Sequence, residues 1–474
     1  MRILSFLRWR FIPRASLSRL ASLAAIGATL VLTTPAAQAV PSYARQTGSE
    51  CASCHVGGFG PQLTPYGIRF KINGYTDSDG KDGKIPLSAM MVVNATRTAK
   101  DAPEADKDAP EADKVDHFNG NNNVAMQEAS VFVAGKLADN IGSFVQVTYS
   151  GVDRTYSLDQ ADVRYARSLK LGDKEMTLGV SLNTNPTLTD PFNTLGQWRF
   201  PYTQSDFNPG FGPAAPKVES LGGGVMGVNA YAFYDDSLYA ELGLYNNLSK
   251  KALNVFNTED QGKFKGLGTY GRIAYFKDRK RDNFSFGLFG FSADIQDRAD
   301  PGPADKYRDL GLDASYQYLG NRRHIFTANA SYVREWQHLN ATLAGADDVH
   351  NSIDQFRAAG SYHFDQTWGG TVGLFDLRGK SNSSLYSSVD DTTGLLTNGS
   401  INGRPNTRGY ILQADWTPWG KEGSWGNGWA NVRVGIQYTG YNRFMGGSTY
   451  LDNDGNERRA RDNNTTMLFL WTSI

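Results

Sequence analysis

Apolar and polar residues alternate with a period of two along most of this chain. In "ANVRVGIQYTG" (430–440), Ala430, Val432, Val434, Ile436 and Tyr438 alternate with Asn431, Arg433, Gly435, Gln437 and Thr439. In "FRAAGSYHFD" (356–365), Phe356, Ala358, Tyr362 and Phe364 alternate with Arg357, Ser361, His363 and Asp365. "EASVFVAGKL" (128–137) sets Ala129, Val131, Val133 and Leu137 on one side. Such alternation puts one apolar and one polar or small face on each strand. About sixteen segments of this kind follow one another, centred near residues 93, 131, 146, 166, 179, 230, 241, 273, 288, 313, 328, 359, 373, 412, 436 and 468.

The connections fall into two sets. Long polar ones span 98–122, 151–158, 184–222, 247–266, 295–307, 339–352, 380–406 and 445–462. Between them lie mostly short ones, such as "ADN" (138–140), "GDK" (172–174), "DDS" (235–237), "GNRR" (320–323) and "DQ" (365–366). An even strand number with long and short connections on opposite rims predicts an all-β, antiparallel, transmembrane barrel of about 16 strands. A soluble sandwich or propeller also alternates, but predicts no such rhythm. The chain ends "MLFLWTSI", with Ile474 last and Phe469 and Trp471 close behind.

Composition agrees. The chain holds 51 glycines, 23 tyrosines and 25 phenylalanines. Beyond the N-terminal segment, no apolar run approaches the roughly 18 residues of a membrane helix.

Residues 1–39 read as a secretory signal. Five arginines (Arg2, Arg8, Arg10, Arg14, Arg19) precede the apolar "LASLAAIGATLVL" and the small-x-small site Ala37-Gln38-Ala39. Removing those arginines from 48 basic residues leaves 43 against 48 acidic ones, a balance of −5. That acidity argues against a nucleic-acid partner. The expected destination is the bacterial outer membrane, with long loops extracellular, termini periplasmic and lipid around the barrel.

The two cysteines, Cys51 and Cys54, fall together in "ECASCHVGG" (50–58), with His55 directly behind. Cys-x-x-Cys-His is the attachment sequence of c-type haem: two thiols form thioethers and the histidine ligates the iron. The rivals lack support. A thioredoxin-like pair needs a strand–helix context, and these flanks are turn-rich. A zinc site needs further ligands, and a disulfide across two residues closes almost no loop. Residues 40–87 are too few to fold alone without a cofactor or a partner surface. A sixteen-strand lumen is wide enough to take such a segment. The expected organisation is therefore signal (1–39), monohaem segment (40–87) and barrel (88–474), with the haem segment seated in the lumen.

The stretch "PSYARQTGSECASCHVGGFGPQLTPYGIRFKINGYT" (41–76) resembles the haem region of the fused outer-membrane cytochrome–porins, whose studied members are iron(II) oxidases of iron-oxidising bacteria. The resemblance rests on Ala44-Arg45-Gln46-Thr47-Gly48, the haem motif, Leu63-Thr64-Pro65 with Gly67, and Phe70-Lys71 with Gly74-Tyr75. The barrel matches only in kind. Many relatives place a Phe-Pro pair after the motif, where this chain has "GGFGPQ". The resemblance implies one covalent haem c and electron transfer from an extracellular donor, iron(II) first, to a periplasmic carrier such as a soluble cytochrome. A donor other than iron, or a solute porin whose haem segment is a plug or sensor, is the competing expectation.

His55 is the expected proximal ligand. Met90, in "MMVVNATRT", shares a strand side with Asn94 and Thr96, the expected lumen face. It is a candidate distal ligand, since methionine ligation raises haem potential; packing at the rim is the alternative. His363 reads as lumen-facing, while His117, His324, His338 and His350 fall in loops or at strand ends. The long aromatic connection 184–222 is expected either to fold inward over the haem with Phe192, Trp198 or Phe200, or to line the mouth. The tandem "DAPEADKDAPEADK" (101–114) reads as a solvated loop. Outer-loop acids (Asp347, Asp348, Asp390, Asp391, Asp452, Asp454) are suited to drawing in cations without defining an iron site.

Overall fold

In the computed structural model, the described residues are 40–81, 83–101, 118–299, 302–389, 396–426 and 428–474. The signal segment, most of the 101–114 tandem, His117, Asp390 and Asp391 lie outside them.

Sixteen long strands alternate around one closed sheet. They are β1 (Leu87–Thr98), β2 (Asn123–Ala138), β3 (Ile141–Ser150), β4 (Thr155–Leu171), β5 (Lys174–Asn183) and β6 (Val225–Tyr234). Next come β7 (Leu238–Asn247), β8 (Gly268–Asp278), β9 (Asp282–Gln296), β10 (Asp305–Tyr318) and β11 (His324–His338). The last are β12 (His350–Phe364), β13 (Trp368–Gly379), β14 (Thr407–Trp416), β15 (Asn431–Arg443) and β16 (Thr465–Ser473). Each pairs antiparallel with its chain neighbours, and β1 pairs with β16 (Asn94 opposite Phe469), so no strand edge is left open. A two-residue strand, Lys263–Phe264, extends one rim. Four short pieces between 387 and 459 form a separate sheet in the long loops.

The predicted alternation appears as inside and outside. Along β15, Asn431, Arg433, Gly435, Gln437 and Thr439 are buried, while Val434 and Ile436 are exposed. Leu242, Leu288, Leu312, Leu374, Leu412 and Leu468 are likewise exposed on the outer wall. Exposed aromatic residues collect towards the short-turn rim (Tyr234, Tyr275, Tyr318, Phe326, Trp368, Trp416) and towards the other (Tyr149, Tyr156, Trp336, Phe356). An apolar wall between two aromatic girdles is a surface made for lipid. The chain is an outer-membrane β-barrel. Among the described residues no helix is long and apolar enough to cross a membrane.

Two connections differ from the sequence reading. The expected long loop at 151–158 is a tight turn, because β4 already begins at Thr155, opposite Ser150. A β-bulge at Asp159 breaks the alternation there and hides the strand start. On the short-turn rim, 417–430 is a long excursion that meets the N-terminal segment: a Cβ added to Gly58 would stand 2.3 Å from Gly420 Cα.

Within residues 40–76, three short helices fill part of the lumen: α1 (Pro41–Thr47), α2 (Cys51–Cys54) and α3 (Pro65–Ile72). Thr64 caps α3 by accepting from the Gly67 amide at 3.4 Å, and Pro65 starts the helix where its missing N–H costs nothing. Gly67 lets α3 approach α2 closely, since a Cβ there would lie 2.4 Å from the Cys54 carbonyl oxygen. Tyr43, Phe70 and Tyr75 pack ring on ring at 4.9 to 6.0 Å.

The barrel supplies the remaining anchors. Tyr231 Oη donates to the Ile72 carbonyl at 2.6 Å, Gln317 Nε2 to Leu63 at 2.7 Å, and Asn431 Nδ2 to Gly58 at 3.3 Å. Tyr75 Oη donates to Asp162 at 2.8 Å. These partners sit on β4, β6, β10 and β15, so the segment is held from several sides of the wall.

Candidate functional site

The Cys-x-x-Cys-His residues open onto an internal cavity of about 380 Å³. Cys51, Cys54 and His55 line it together, with Tyr43, Phe59, Phe70 and Tyr75 from the same segment. The wall adds Met90, Phe132, Phe144 and Trp471, and the inward loop adds Trp198 and Tyr202. Phe59 meets Trp471 edge-on at 4.9 Å, and Phe144 meets Trp198 at 5.5 Å. A flat, apolar macrocycle suits such a box.

Local geometry explains the convergence. One turn of α2 puts Cys51 and Cys54 three residues apart on the same side. His55 ends that turn in an extended conformation, with its amide still bonded to the Cys51 carbonyl at 2.9 Å. The following loop is clamped by Arg433, which donates to the Gly57 and Phe59 carbonyls at 2.9 and 2.7 Å and faces Asp415 at 3.4 Å. Gly57 N donates to Gln366 Oε1 at 2.8 Å, and Arg322 donates to the Ala52 carbonyl.

The electrostatics disfavour a redox dithiol. Burial, then the neighbouring Cys51, pushes the Cys54 thiol up to about 12. An exchange-active cysteine is shifted the other way. For His55, burial and then the Arg433 guanidinium lower the imidazole to about 4, so it is neutral, the form that ligates a metal. Its Nδ1 is buried without a hydrogen-bond partner. Two thiols outside any disulfide, a neutral imidazole with an orphaned nitrogen and an aromatic-lined enclosure fit a covalently attached haem.

Met90 lies on the inward side of β1 with Asn94 and Thr96, lines the same cavity and packs beside Phe59, Val92 and Trp471. The connection 184–224 folds inward. Asp190 is wholly buried, accepts from the Phe192, Thr194 and Leu195 amides at 2.7 to 3.1 Å and faces Arg272 at 3.2 Å. Of the three aromatic residues expected over the haem, only Trp198 lines the cavity. Phe192 packs under α3 with Ile68 and Ile72, and Phe200 packs against Phe375 and Ile411.

Sequence reasoning missed Lys71, Tyr202, Glu128 and Asp159 at this cavity. Lys71 donates to the Leu188 and Asp190 carbonyls and Asn193 Oδ1 at 3.0, 2.7 and 2.8 Å. Burial and then Arg164 lower its amine to about 7. A lysine inside an otherwise apolar helix face was the available signal.

The other described histidines stand apart from the cavity. His363 is buried on β12 against Gly57, His324 bonds Tyr362 Oη at 2.8 Å, and His338 and His350 pair at 4.4 Å. Asp348 pairs with Lys380. Among the described residues, no three His, Cys, Asp or Glu side chains form a metal-ligand set.

No protein-family model and no curated protein matches the chain. Solved structures with a similar course include OmpF of Salmonella typhi, in complex with daunomycin (12% identity, TM-score 0.42, covering 82% of this chain and 97% of that one). DcaP, an outer-membrane channel of Acinetobacter baumannii, is similar at 12% identity and TM-score 0.40, covering 82% and 96%. OmpT of Vibrio cholerae is similar at 10% identity and TM-score 0.38, covering 82% and 95%. All three are outer-membrane proteins.

Proposed function

We propose that this protein is an outer-membrane electron-transfer barrel that takes electrons from an extracellular donor, iron(II) first, and delivers them to a periplasmic carrier. One observation carries the reading: Cys51, Cys54 and His55 line a single aromatic-walled cavity inside a closed barrel. Bound there by thioethers, haem c would supply a one-electron iron couple. The chain's own residues would do the rest. Cys51 and Cys54 would anchor the group, His55 would ligate the iron, and Met90, on the wall of the same cavity, is the candidate for a second ligand. Tyr43, Phe59, Trp198 and Trp471 would exclude water and so favour the less charged state.

The second reading, a solute porin with the N-terminal segment as plug, draws on the barrel's sixteen strands, a number that leaves a channel in porins. Against it, the helices within residues 40–76 and the inward loop lie in the lumen and are tied to the wall by the bonds above.

The deciding experiment mixes purified full-length protein with iron(II) in a stopped-flow spectrometer. Rapid reduction of a covalently bound haem supports the proposal. A haem-free protein, or a haem that no extracellular-type reductant reduces, sinks it, and swelling of liposomes in small sugars would then favour the porin.

A further inference from the structure

Two β-bulges, on the strands that flank β3, reshape the cavity wall on the side of the long loops. In β2 the register against β1 slips between Val92 and Val93, so Val92 faces Glu128 and Val93 faces Met126. Inward positions before the slip are odd-numbered (Asn123, Ala125, Gln127), and after it even-numbered (Glu128, Ser130, Phe132). In β4 the register against β3 slips between Gln146 and Val147, leaving Asp159 as the extra residue beside Gln160. Bulges re-aim side chains and recur beside functional sites. Here each turns a carboxylate and a glutamine inward together.

Glu128, Asp159, Gln146 and Gln160 line the same cavity as Cys51 and His55. Glu128 and Asp159 lie five and four residues from the starts of β2 and β4, on the rim away from Arg322 and Gly420, which hold the cysteine loop. Thr148 of β3 joins the two bulged strands, with its Oγ1 2.9 Å from Ser130 Oγ, two residues from Glu128, and 3.2 Å from Asp159. Neither carboxylate makes an ion pair among the described residues. Asp159 accepts one bond, from Thr148 Oγ1 at 3.2 Å. Gln160 is 7% exposed, and its Oε1 has no hydrogen-bond partner. Two carboxylates without an ion pair among the described residues and an unused amide oxygen form an oxygen-donor set that lacks its charge partner, since Lys71 of the same cavity spends its donors on the inward loop.

We propose that Glu128, Asp159 and Gln160 Oε1 form a subsite for a hydrated divalent cation on the long-loop side of the cavity. Three oxygen donors suit a hard or borderline divalent ion that keeps several waters. The subsite deepens the proposed function, and rests on it only in taking that ion to be the electron donor.

The test uses manganese(II) as probe and full-length protein in detergent micelles, counting free ion by electron paramagnetic resonance. The parent is expected to show one saturable site. Glu128→Gln/Asp159→Asn should weaken it by at least about tenfold, as should Gln160→Leu alone where the double variant does not fold. An Asp347→Asn/Asp348→Asn control should leave it unchanged. A parent without a saturable site, or variants that bind as the parent does, overturns the proposal. Haem content is measured separately by staining, so a haem-free preparation rejects the proposed function while the manganese titration still decides the subsite.

Discussion

The Lys71 ammonium stands 4.2 Å from the centroid of the Trp198 ring, and its three donors end on the same inward loop. One side chain of α3 thus pins the loop that closes the cavity. Its amine, lowered by burial to about 7 from an ordinary 10.5, is charged in the unfolded chain and largely neutral in the folded one between those values. The unfolded state then binds more protons, so stability rises with pH across that window and the cost is fully present below about 7. Thermal unfolding from pH 7 to 10 should show that rise, and Lys71→Met should remove it. An unchanged slope in the variant would assign the effect elsewhere.

Trp198→Ala should destabilise the folded loop by about 3–5 kcal/mol, since it removes a large ring and its contacts with Phe144 and Lys71. Limited proteolysis of the 184–224 segment reads this directly. Cutting should accelerate there while the barrel core stays resistant.

Arg433 is almost fully buried and bonds two carbonyls of the cysteine loop while facing Asp415. Arg433→Ala strands those carbonyls and an unpaired carboxylate, at about 3–5 kcal/mol. The N-terminal segment should loosen, and conductance through planar bilayers should rise above the parent's. Lysine should restore little, because a point charge cannot serve both carbonyls as the guanidinium fork does.

If Met90 ligates the iron together with His55, Met90→Leu lowers the reduction potential, because methionine ligation raises it. Potentiometric titration followed by absorbance measures the change. An unchanged potential assigns Met90 to packing with Phe59 and Trp471. Cys51→Ser with Cys54→Ser should abolish haem staining on denaturing gels and leave the heat-shifted mobility of a folded barrel intact.

Most of the barrel was legible because its signal is local. A strand with one face in lipid must alternate, and β15 displays this residue by residue from Asn431 to Thr439. The bulges were not legible. At Asp159-Gln160 two adjacent inward residues look like a lapse in the pattern, and only pairing with Gln146 and Leu158's partner Val147 reveals the extra residue. The fate of the 184–224 connection was equally hidden. Its aromatic content suits the mouth or the lumen, and Asp190 decides between them only because Arg272, 82 positions later in "GRIAYF", projects from the wall to meet it.

The order of residues alone determined the alternating strands, their number and the Cys51–His55 spacing, since each depends on neighbours within a few positions. Which side chains share the cavity with Cys51, Glu128 and Asp159 among them, was decided by closure of the sheet. Closure brings β1, β2, β4 and β16 against one short segment, and no short-range pattern encodes a meeting between residues hundreds of positions apart.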